Sequence, residues 1–113
     1  MSLLVLLAAY AAVAASPLRA KSGETASSIT ALIVELTSLS LPPRVERAFL
    51  LTLNAAAEAA REGQTARAQT LLRTFAFEVR GVKRARRITA ETANPLIEKV
   101  ERLIVMMDET APQ

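Results

Sequence analysis

The chain has 113 residues, a formal net charge of +3, and neither cysteine nor histidine. That length fits one domain. The missing residue types exclude a disulfide framework, thiolate or imidazole metal ligation, and Cys or His catalysis. Hydrophobic residues make up 51% but aromatics only 4%, and just three Gly are present. Leu and Ala lose little side-chain freedom in helices, so the composition points to an all-α fold.

Residues 1–15 differ from everything after them. Leu3 to Ala15 is a 13-residue stretch without a charge or strong polar group. It is shorter than the about 20 apolar residues of a transmembrane helix. Val13-Ala14-Ala15 and Ala12-Val13-Ala14 both satisfy the small-x-small rule for signal cleavage. No Lys or Arg precedes Leu3, a departure from the usual signal. The segment is expected to be a signal peptide or membrane anchor, with a first core helix as the alternative. Export follows: secreted, periplasmic or cell-surface in a bacterium. Residues 16–26, polar with Pro and Ser, read as a linker, and residues 27–108 as the folded part.

From Ser27 the apolar spacing becomes helical. Ile29, Leu32, Ile33, Leu36 and Leu39 share one face, with Thr25, Ser27 and Ser28 available as N-caps. Leu41-Pro42-Pro43 stops this helix, and Pro43 suits the first position of the next. The second helix reaches about Glu62, with Val45, Phe49, Leu50, Leu53, Ala56, Ala57 and Ala60 inside and Gly63 as its stop. The third is predicted from Thr65 to Arg80. Ala68, Leu71, Leu72, Phe75 and Val79 face inward, and Gly81 ends it. Ile88 and Thr89 open the fourth, with Ala93, Leu96, Ile97, Val100, Ile104 and Met107 as its stripe. Pro95 offers a second start, with Asn94 as cap. Residues 109–113 read as a frayed tail. Short connections imply antiparallel neighbours, hence a small up-and-down bundle of about four helices.

The matching segments "ALIVELTSLSLPPRVERAFLLTLNAAAEAAREGQTARAQTLLRTFAFEVRG" and "RRITAETANPLIEKVERLI" resemble the FIMAH domain, a helical module of bacterial exported and cell-surface proteins. The elements that carry the likeness are "L-P" before the second helix; Ala59, Gly63 and Ala68; Leu72, Phe75 and Val79; and Ile88, Thr89, Ala93, Leu96 and Ile97. Together they cover about residues 27–107. The resemblance implies an accessory or interaction module and brings no catalytic residue with it. Two departures stand out: Pro95, and the connection Arg80 to Arg87, which is longer and more basic than the family's usual one.

No constellation for chemistry is visible. Glu35 sits on a solvated edge, and Arg61 and Arg67 are expected to offset Glu58 and Glu62. Glu98 and Arg102 have i,i+4 spacing for an ion pair. Glu-x-x-His metal pairs, a Gly-rich phosphate loop and a nucleophile elbow are all missing. The chain therefore reads as non-enzymatic, with no catalytic residue, metal or cofactor. Met106 and Met107 are expected to close the core. Phe77, about 200° around the helix from Phe75, is a candidate contact residue.

"RGVKRARRIT", residues 80–89, holds five basic residues. It reads first as a connector whose cations favour the end of the preceding helix. Arg80, Lys83, Arg84, Arg86 and Arg87 are the candidate contacts for a protein or an anionic envelope polymer. Membrane contact is expected only through the N-terminal segment. Phosphate affinity from such charge is sequence-independent, and no recognition helix or stacking aromatic follows Phe77. Nucleic acid is thus disfavoured. A cytoplasmic nucleic-acid-associated protein using Arg80 to Arg87 is the alternative.

Overall fold

A computed structural model describes the backbone of residues 17–110 and the side chains of residues 23–108. Residues 1–15, read above as a signal or anchor, lie outside the described residues. Among the described residues there are four helices and no strand. They are α1 (Pro17–Thr37), α2 (Pro43–Arg61), α3 (Thr65–Arg84) and α4 (Ala90–Thr110). Consecutive helices pack side by side along the chain, while α1 and α4 meet only loosely. This is an all-α up-and-down bundle, as the periodicity predicts.

One core runs through all four helices. Ile29, Leu32, Leu36, Val45, Phe49, Leu53, Leu72, Phe75, Val79, Leu96 and Val100 are buried, all at predicted positions. Ile33, Leu39, Leu50, Leu71 and Ile104 are only partly buried at its edge. Ala26, Ala59, Ala76 and Leu103 join the core as well. At its centre the rings of Phe49 and Phe75 meet edge to face, centroids 5.1 Å apart and planes at 73°. That geometry sets the positive edge of one ring against the negative face of the other.

Several boundaries differ from the sequence reading. The first described helix spans Pro17–Thr37, so residues 17–26, within the expected linker, are helical. Pro17 suits a first helical position, and Ala20, Lys21, Glu24 and Ala26 are better helix residues than the polar character of the stretch suggests. Thr25, Ser27 and Ser28 therefore lie inside the helix and cap nothing at its start. At the other end α4 continues to Thr110, through the start of the expected tail.

Gly81 does not end α3, which continues to Arg84. The chain turns at Arg86 instead, with φ 59°. Arg86 N–H donates to Lys83 O at 3.0 Å and Arg87 N–H to Val82 O at 3.1 Å. This pair is a Schellman ending, in which the left-handed residue is normally glycine. The α2–α3 turn has the same bonds, Gly63 N–H to Ala60 O and Gln64 N–H to Ala59 O, with Gly63 at φ 76°. Downstream, Ile88 is buried and Thr89 caps α4, its Oγ1 accepting from Thr92 N–H at 3.2 Å. Pro95 is thus a residue inside α4 and Asn94 is not its cap. Pro95 has no N–H to offer Glu91, whose residue is exposed, so water can take that carbonyl's bond.

Candidate binding surface

Two contacts tie α2 to α3: Phe49 packs on Phe75, and Thr52 Oγ1 donates to Glu78 Oε1 at 2.8 Å. The helices run antiparallel from the turn at Gly63, with Leu51 12 residues before it and Phe77 14 after it. At 1.5 Å per residue the two are level to within about 3 Å. About 100° per residue places both on the side of the hairpin turned away from the core. Leu51 is 70% exposed and Phe77 74%, the two most exposed large hydrophobics among the described residues. Ala48 and Thr74, both exposed and small, lie on the same face between them.

The same periodicity places arginines around this pair. Arg44 is seven residues before Leu51 and Arg84 seven after Phe77, so both continue the outer face. Arg47 and Arg73 stand four residues before Leu51 and Phe77, on its flanks. All four are exposed, as are Arg80, Arg86 and Arg87. Gly81 adjoins Phe77 one turn on, and a Cβ there would meet no neighbouring atom within 4 Å. The surface beside the Phe77 ring is open.

The predicted contact residues divide into two groups. Arg80 Nη2 lies 3.6 Å from Glu101 Oε1, and Lys83 Nζ donates to Asn94 Oδ1 at 2.7 Å. Both tie the end of α3 to α4. Arg84, Arg86 and Arg87 make no side-chain hydrogen bond or ion pair among the described residues, and they share the corner with Arg44. The sequence reading missed Arg44, Arg47, Arg73 and Leu51, because it followed only inward stripes. The signal was present in the seven-residue spacings of Arg44 to Leu51 and Phe77 to Arg84.

Charge is divided between the two halves of the bundle. Residues 43–87 carry ten Lys+Arg against four Asp+Glu, a net of +6, and the other residues carry four against seven, a net of −3. Within the hairpin, Glu58 and Glu62 lie near the α2–α3 turn, beside Arg67 in a shallow cleft of about 170 Å³. No ion pair joins either glutamate to Arg61 or Arg67; Arg61 Nη2 donates to Thr30 Oγ1 at 3.4 Å instead. The basic excess collects at the opposite end, where α2 begins and α3 finishes.

A second surface lies along the loose α1–α4 seam. Ala31, Leu32, Leu103 and Met106 line an open cleft of about 310 Å³ there, with Glu35, Lys99 and Arg102 at its edge. Lys99 Nζ donates to both carboxylate oxygens of Glu35 across the cleft. Two expectations fail in this region. Met107 is buried, but Met106 faces this cleft and is half-exposed. Glu98 makes no ion pair with Arg102, because Arg102 is turned to the seam. Nearby, the one buried polar side chain among the described residues, Gln69, joins α3 to α4: its Nε2 donates to Asp108 Oδ1 at 2.5 Å and Ile104 O at 3.3 Å.

Among the described residues no group of three or more His, Cys, Asp or Glu could hold a metal ion, and no helix is long and apolar enough to cross a membrane. No family model, curated protein or solved structure matches this chain.

Proposed function

We propose that this chain is a non-enzymatic binding module that grips an anionic partner at the bacterial cell envelope through the basic end of the α2–α3 hairpin. The observation that carries this reading is the charge division, +6 on residues 43–87 against −3 elsewhere. A solvated surface of mixed sign would spread those charges. Here Arg44, Arg84, Arg86 and Arg87 gather at one corner, and the cations of Arg84, Arg86 and Arg87 are left without protein partners among the described residues. Arg86 adds to the argument: a position that favours glycine is filled by an arginine, at the expense of backbone strain. Strain of that kind collects at functional sites.

Export is supported by the apolar N-terminal segment and by the likeness to FIMAH modules, an accessory or interaction role by that likeness alone. Intact-mass measurement on protein made in a bacterial host tests export: loss of about the first 15 residues is expected, and a full-length cytosolic species would contradict it. Retention on immobilised heparin, an acidic glycan, tests the binding. The Arg84→Ser/Arg86→Ser/Arg87→Ser variant should elute at clearly lower salt than the parent, because each lost cation removes counterion release. Equal elution would mean that the corner does not bind the anion.

A further inference from the structure

The same face also suggests what the anion is. We propose that the outer face of the α2–α3 hairpin docks on an anionic phospholipid bilayer, with Leu51 and Phe77 sunk into the interface and Arg44, Arg47, Arg73 and Arg84 among the headgroups. This rests on the anion-binding reading above and narrows it to one partner.

Three features select a bilayer over other polyanions. The first is that the two most exposed large hydrophobics share the outer face of the hairpin, Leu51 at the rim of an open groove along α2 with Pro43, Arg47 and Asn54, and Phe77 beside open surface. A soluble acidic glycan can stack a sugar face on Phe77 but gains little from Leu51. An interfacial layer takes apolar side chains a few ångströms deep and does not need a complementary pocket. The second is that the cations ring the apolar pair: Arg44 and Arg84 follow at heptad spacing, and Arg47 and Arg73 flank it. Their long side chains can lie along the surface while the guanidinium groups reach phosphate. The third is that Ala48, Thr74 and Gly81 keep the ground between and beside Leu51 and Phe77 low, so both side chains can reach the same plane. A single-stranded nucleic acid would want several aromatics along a groove, and this face has one.

The chain contains no Trp, so Phe77→Trp makes a lone reporter on the face itself. That isolates the hairpin from any contribution of the apolar residues 3–15. Val34→Trp, on a 64% exposed position of α1, is the matching control. With vesicles of mixed phosphatidylcholine and phosphatidylglycerol, emission from the Phe77→Trp protein should move to shorter wavelength and its acrylamide quenching should fall. Emission from Val34→Trp should stay unchanged, and vesicles of phosphatidylcholine alone should change neither. Adding Arg44→Ser and Arg84→Ser to the reporter protein should weaken vesicle binding about 25-fold, from about fivefold for each arginine near an anionic surface.

The outcomes separate the two claims. If phosphatidylglycerol vesicles pull the protein down while Phe77→Trp stays fully quenchable, this face does not insert, and anion binding survives without it. If the parent is retained on heparin but ignores the vesicles, the lipid assignment falls and the module reading stands. If it binds neither, both fall. Equal wavelength shifts with neutral vesicles would overturn the role of the arginines. Protection of Phe77→Trp by an oligonucleotide at lower concentration than by lipid would replace the bilayer with nucleic acid.

Discussion

Replacing Arg86 with glycine should stabilise the protein. Arg86 holds φ 59° at the left-handed position of the Schellman ending that follows α3. For an L-residue that region is unfavourable by about 1–2 kcal/mol. Glycine relieves the strain but adds freedom to the unfolded chain, which takes back about 0.4–1 kcal/mol. Arg86→Gly should therefore gain about 0.5–1 kcal/mol. Arg86→Ala removes the same charge and keeps the strain, so it should sit near the parent. Gly63→Ala runs the comparison backwards. At φ 76° a Cβ would touch nothing within 4 Å, so its loss of about 1 kcal/mol would be conformational alone. Urea unfolding followed by circular dichroism reads all three. For a slope of about 1.5 kcal/mol/M, Arg86→Gly should raise the midpoint by about 0.3–0.7 M with the slope unchanged. A midpoint at or below that of Arg86→Ala would refute the strain argument, and with it the claim that arginine is kept there for its charge.

Other substitutions probe the core and the surface. Phe75→Ala should lose about 3–5 kcal/mol, since the ring is fully buried against Phe49, and a near-neutral result in the same urea assay would contradict the bundle register. Changing Arg84, Arg86 and Arg87 together to Ser should leave the melting temperature nearly as it was, because exposed charges contribute about 0–1 kcal/mol each. A large fall would mean the corner is packed. A double-mutant cycle on Glu35 and Lys99 should return a coupling below about 1 kcal/mol that shrinks with salt, as both side chains are nearly half exposed. Coupling that resists salt would mean the α1–α4 seam is drier than described.

The bundle was legible because its signals are redundant. Each helix carries an apolar stripe at helical spacing, and Pro43 and Thr89 mark two starts independently of those stripes. The errors fall where one local rule was used alone. Gly81 looks like a stop by identity alone, but glycine ends a helix by adopting a left-handed conformation, and here the helix continues to Arg84. The residue that does turn the chain, Arg86, has no sequence signature for it. The polarity of residues 16–26 suggests a linker, yet it describes a solvated helix face equally well, and residues 17–26 are helical. The expected pairing of Glu98 with Arg102 failed for a similar reason. Spacing within one helix cannot report that Glu35 and Glu101 lie opposite Lys99 and Arg80 on neighbouring helices. The binding surface is half legible: the basic run and Phe77 are conspicuous, and the seven-residue spacing of Arg44 to Leu51 is present in the sequence, but its link to Phe77 depends on the pairing of α2 with α3.

Amide chemical-shift mapping on the isotope-labelled protein tests the location of the binding surface most directly. During titration with a short heparin oligosaccharide, perturbations should be confined to residues 44–51 and 73–88 and grow weaker as salt is raised. Perturbations centred instead on residues 28–35 and 99–106 would place binding in the α1–α4 cleft and rule out the basic end of the hairpin.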